Sequence, residues 1–96
     1  MKLRFANNQL RRCYEDERLA NRRFGPQVGL RYLQRVRLIM STASIDRLME
    51  FRSLRLHPLK GDRYGLWVVD LVAQWRLLFS IEDDTVVIQE VSNHYD

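Results

Sequence analysis

Trp75-Arg76-Leu77-Leu78-Phe79-Ser80-Ile81 is the stretch that decides the fold. Successive side chains of a strand point to opposite sides, so Trp75, Leu77, Phe79 and Ile81 share one face while Arg76, Leu78 and Ser80 share the other. Upstream, Leu66–Leu71 is equally rich in β-branched and aromatic residues. Downstream, Glu82-Asp83-Asp84-Thr85 reads as a turn into a third such run, Val86–Val91. Ahead of these, Leu54 and Leu56 flank Arg55 as an extended piece that Pro58 stops. Lys60-Gly61-Asp62-Arg63 reads as a turn in which glycine is free to take positive φ.

Before residue 53 the hydrophobic period changes. Leu30, Leu33, Val36, Ile39, Met40 and Ala43 recur at three- and four-residue spacing, the stripe of an amphipathic helix. Pro26 suits an early position in it, after Phe24-Gly25. Arg31, Arg35 and Arg37 fall off the stripe, toward solvent. Asn8 to about Ala20 is helical in composition, and Ser44 caps a short helix through Phe51 without the Glu of a full capping box. Lys2–Phe5 alternates as a short opening strand. Helices first and hairpin-linked strands second predict one α+β domain over residues 1–96. Its N-terminal helices pack on one face of a small, mainly antiparallel sheet. The face toward which Arg76 points is left open as a concave working surface.

Ninety-six residues, 46% hydrophobic and 29% charged, suit one folded core and exclude a disordered chain. No apolar run approaches the ~20 residues that cross a bilayer, and Met1–Asn8 lacks the apolar core of a secretory signal. A cytoplasmic protein is expected. The single cysteine agrees: Cys13, expected as a half-buried thiol on a helix, has no internal disulfide partner. One Cys and two His also fall short of a structural zinc site, so no metal or cofactor is expected.

Charge is unevenly placed. Residues 1–55 hold thirteen Lys/Arg against five Asp/Glu, and residues 56–96 hold three against seven. Fourteen of the sixteen basic residues are arginine, which binds phosphate as a planar fork. A basic first half points to a polyanion, RNA or DNA. An Arg-rich solvated helix face and an acidic protein partner fit the same charge.

Both histidines, His57 and His94, lie in two short segments, Leu56-His57-Pro58-Leu59-Lys60-Gly61-Asp62-Arg63 and Asn93-His94-Tyr95. Histidine gives and takes protons near neutral pH, and Lys60 adds positive charge three residues away. Together they suggest an enzyme acting on a nucleic-acid backbone. Each residue also has a structural role open to it: His57 can cap a strand end, Lys60 can be a solvated charge, and Arg76 can pair across the sheet with Glu90 or Asp70.

The order Leu-His-Pro-Leu-Lys-Gly-Asp-Arg, Gly-Leu-Trp, Gln-Trp-Arg-Leu-Leu-Phe and Asn-His-Tyr resembles the HigB branch of the RelE/ParE toxin superfamily, most closely over residues 54–95. The resemblance implies a RelE-like fold and a metal-independent endoribonuclease that cuts mRNA in the ribosomal A site. In that chemistry the ribose 2′-hydroxyl attacks the adjacent phosphate. It implies catalytic roles for His57, Lys60, Arg76, His94 and Tyr95. It also implies a HigA-like helix-turn-helix antitoxin as partner, in a higher-order toxin–antitoxin assembly. Arg31, Arg35, Arg37, Arg47 and Arg63 are the candidates for RNA contact. The end departs from the family's Asp-Tyr-His: here His and Tyr have traded places and the acid is an amide, which leaves the acid and base roles open. Two other readings share the fold, a ParE-like gyrase poison and a catalytically degenerate antitoxin-binding module.

Overall fold

The computed structural model describes residues 1–93. The order along the chain is β1 (Lys2–Phe5), α1 (Asn8–Glu15), α2 (Glu17–Phe24), α3 (Pro26–Ser41), α4 (Ile45–Leu48), β2 (His57–Pro58), β3 (Leu66–Asp70), β4 (Arg76–Glu82) and β5 (Thr85–Ser92). The α+β architecture is the expected one. The five strands lie in the order β1-β5-β4-β3-β2, antiparallel except for the parallel pair β1–β5.

Local chemistry places the helix ends. Asn7 Oδ1 accepts from the Leu10 amide at 2.9 Å to start α1. The sequence predicts one helix running on to about Ala20, but Asp16 breaks it. Its own amide closes α1 on the Arg12 carbonyl at 2.9 Å, while its Oδ1 accepts from the Arg18 amide at 3.0 Å to open α2. Pro26 begins α3, as expected. Ser44 caps α4, which stops at Leu48 rather than reaching Phe51. The extended piece expected at Leu54–Leu56 is a 3-10 turn, Arg52–Leu54, followed by Arg55 in the left-handed region. Gly61, at φ 66°, makes the turn after β2 as predicted.

Alternation in the strands now has a physical consequence. Leu77, Phe79, Val86 and Ile88 point to the helices and join Leu10, Ala20, Tyr32, Val36 and Ile39 in the core. Cys13 is fully buried there, deeper than expected, at 2% exposed. Ala20 faces Gly29 across α2 and α3. A Cβ at Gly29 would stand 3.0 Å from the Ala20 backbone and 2.7 Å from Asn21 Oδ1, so the two helices touch there backbone to backbone. No helix among the described residues is long and apolar enough to cross a membrane.

Candidate functional site

The sheet's other face carries the candidate residues His57 and Arg76. Paired residues of neighbouring strands share a face, and the register aligns His57 with Val68, Val68 with Leu78, and Leu78 with Glu90. One step along, Asp70 faces Arg76 and Arg76 faces Ser92. A register shift at Leu78/Phe79 adds one residue to β5 and keeps Glu90 and Ser92 in these rows. His57 and Arg76 therefore lie on one surface. They are two strands and two residues apart, about 12 Å between Cα atoms from standard sheet spacings.

His57 is exposed, and its Nδ1 lies 2.8 Å from the Arg55 carbonyl oxygen. A carbonyl only accepts, so Nδ1 carries the proton and the neutral ring keeps its lone pair on Nε2. Lys60 is exposed at the tip of the β2–β3 hairpin, which the Leu59 amide closes on the Leu66 carbonyl at 2.8 Å. Arg76 opens β4, with its side chain 19% exposed and its Nε 3.9 Å from Asp70 Oδ1. Of the two acids considered for it, Asp70 faces it directly. Glu90 instead holds Arg63, Oε1 to Nη2 at 3.4 Å. This pair links the turn that carries Lys60 and Arg63 to β5. Val68 and Leu78, on the open face, are buried. This face thus combines buried apolar residues with the Asp70–Arg76 and Arg63–Glu90 charge pairs.

Arg31 and Arg35 correct an expectation. Rather than facing solvent, they are half-buried: Arg31 Nη1 donates to the Leu71 carbonyl at 3.3 Å and Arg35 Nε to the Asp70 carbonyl at 3.2 Å. Carbonyls where β3 ends need donors, and the arginine stem is long enough to bring one from an off-stripe helix position. Burial pulls Arg35 below its ordinary pKa, the like charge of Arg31 adds to this, and Asp70 opposes it. Arg37 is exposed, and Arg47 pairs with Glu50 at 3.6 Å. His94 and Tyr95 lie outside the described residues.

Sequence reasoning missed two contributors. Arg55 anchors His57 through its carbonyl and reaches Asp70 Oδ2 with Nε at 3.5 Å. Arg12, Arg22 and Arg23 line a cavity of about 270 Å³ over Cys13 between α1 and α2. None of these three has a carboxylate partner among the described residues. The doubled arginines Arg11-Arg12 and Arg22-Arg23 were the available signal. Among the described residues no group of three or more His, Cys, Asp or Glu could hold a metal ion.

A mainly antiparallel five-stranded sheet backed by helices on one face is an α+β fold of the RelE/YoeB type. The YoeB/ParE toxin from Agrobacterium tumefaciens shares the fold at TM-score 0.57 and 19% identity, over 99% of this chain and all of the other. YafQ from E. coli matches at TM-score 0.59 and 20% identity, over 95% and 90% of the two chains. YoeB in the YoeB–YefM complex from Staphylococcus aureus matches at 0.58 and 17%, over 99% and 98%. In sequence, endoribonuclease HigB of Proteus vulgaris is 42% identical over 41 residues, 42% of this chain. That match spans 45% of the relative, under half its length. No family model matches the chain. The chain shares the fold of these toxins and is similar in sequence to endoribonuclease HigB over the matched stretch.

Proposed function

We propose that the chain is the toxin of a toxin–antitoxin pair, an endoribonuclease that cuts mRNA on the ribosome. The observation that carries this reading is the shared face: His57, with Nε2 available, and Arg76 stand on one surface of the sheet, with Lys60 in the turn that follows β2. The likeness to endoribonuclease HigB supports it from the sequence side.

The chemistry needs a base, cations and an acid. His57 Nε2 accepts the ribose 2′-proton as the 2′-oxygen attacks the neighbouring phosphorus. The bond from phosphorus to the 5′-oxygen breaks, leaving a 2′,3′-cyclic phosphate and a 5′-hydroxyl. Arg76 and Lys60 hold the charge gathering on the non-bridging oxygens, in place of a metal ion. The proton for the leaving 5′-oxygen comes from His94 or Tyr95. RNA contact falls to Arg37, Arg12, Arg22 and Arg23, with Arg47 and Arg63 reaching RNA only by giving up a carboxylate. Arg31 and Arg35 serve the fold.

A YoeB protein of this fold occurs in complex with YefM, and a basic, lethal surface calls for an inhibitor that covers it. The partner proposed here is a HigA-like helix-turn-helix antitoxin, in a higher-order assembly. Mapping 5′ ends on a defined mRNA in a reconstituted translation system tests the reading. Cuts should require ribosomes and fall at least about a hundredfold in His57→Ala, Lys60→Ala and Arg76→Ala. An absence of cuts under every condition would sink it and direct attention to gyrase supercoiling.

A further inference from the structure

Arg55 is one of three non-glycine residues at positive φ among the described residues, with φ 50° and ψ 42°. It touches the candidate site at both ends. Its carbonyl lies 2.8 Å from His57 Nδ1. Its Nε lies 3.5 Å from Asp70 Oδ2, whose partner oxygen stands 3.9 Å from Arg76. The side chain is largely solvated, 77% exposed, so the backbone is the more consequential half. An extended Arg55, with ψ near about 130°, would turn the carbonyl by roughly a quarter turn and take it off the ring. A free imidazole could then place its proton on either nitrogen.

We propose that Arg55 is a positioning residue: its left-handed backbone holds His57 in the Nδ1–H tautomer, leaving Nε2 as proton acceptor, while its guanidinium shares Asp70 with Arg76. The consequence for catalysis rests on the endoribonuclease reading, whereas the backbone lock does not. Arg55→Gly takes the left-handed conformation readily and lacks the guanidinium. Arg55→Val, β-branched, is driven out of that region.

Long-range proton–nitrogen NMR of the imidazoles, at a pH where they are neutral, reads the tautomer without substrate, and a His57→Gln spectrum assigns the resonance. Wild type and Arg55→Gly should both show Nδ1–H, and Arg55→Val mainly Nε2–H, with amide spectra confirming that each is folded. In ribosomal cleavage Arg55→Val should lose tenfold or more in kcat with little change in KM. A wild-type ring in the Nε2–H form, or a folded Arg55→Val that keeps Nδ1–H, overturns the proposal. Tautomers as expected with no cleavage by wild type would overturn the endoribonuclease reading and leave the backbone lock standing.

Discussion

Asp70 and Arg76 face each other across β3 and β4, Oδ1 to Nε at 3.9 Å, and Arg55 approaches the other oxygen of the same carboxylate at 3.5 Å. A separation of 3.9 Å is a charge pair rather than a hydrogen bond. Asp70 therefore acts on Arg76 through charge rather than through a hydrogen bond. Asp70→Asn keeps the shape and removes the charge. Its expected effects are a kcat lowered about tenfold, with KM unchanged or lower because the cationic field is less neutralised. Stability should fall by no more than about 1 kcal/mol, the pair being partly solvated. Single-turnover cleavage and thermal melting check both, and an unchanged kcat removes this role of Asp70.

Gly29 should not tolerate alanine. Helix propensity alone would favour Gly29→Ala by about 1 kcal/mol. The added Cβ, however, meets the Ala20 backbone at 3.0 Å and Asn21 Oδ1 at 2.7 Å, and backbone cannot step aside without separating α2 from α3. Overpacking of this kind costs typically 1–3 kcal/mol, so the variant should melt lower than wild type. A raised melting temperature would show that the helices part freely.

Stability should fall on the alkaline side. Burial pushes the Cys13 thiol up, against the pull of Arg23 and Arg12, and burial likewise pushes the Tyr32 phenol up. Both acids ionise more easily in the unfolded chain. Their contribution is complete below the unfolded values, about 8.5 for Cys and about 10 for Tyr, and is lost as pH rises toward the folded ones. The slope reaches at most about 1.4 kcal/mol per pH unit for each group. Urea unfolding at pH 8, 9, 10 and 11 should show the decline, with Cys13→Ala flattening its first part. A curve flat to pH 11 contradicts it.

The strands are legible because one face of each must bury: Leu77, Phe79, Val86 and Ile88 alternate with residues of the open face, and the alternation alone places Arg76 there. The helix break at Asp16 is not legible. Asp16 sits among good helix formers, and its use as a cap at both ends depends on the angle α2 takes against the core. The Asp70–Arg76 pairing depends on the register that the turn between β3 and β4 sets, so Asp70 was only one of two acids within reach. Arg31 and Arg35 mislead for a different reason. Periodicity sorts residues by where the Cα–Cβ bond points, whereas a long cationic stem can fold back onto carbonyls.

That difference between where an arginine starts and where it ends separates two sets of basic residues by experiment. Arg12, Arg22 and Arg23 have no acid partner among the described residues. Changing all three to Gln should lower stability by no more than about 1 kcal/mol, since Arg23 stacks on Phe24 and all three sit in last helical turns, and should weaken RNA binding. Each lost phosphate contact should remove about 0.7 to 0.9 from the slope of log affinity against log salt. Arg31→Gln and Arg35→Gln remove hydrogen bonds to the carbonyls of Leu71 and Asp70. Each should cost about 1–3 kcal/mol of stability, as a charged donor lost from a half-buried acceptor does, with the salt slope unchanged. Binding to a short RNA over a range of potassium chloride, paired with urea unfolding of each variant, reads both axes. The opposite pattern, with the α3 pair steering RNA and the α1–α2 trio holding the fold, would move the polyanion surface back to α3.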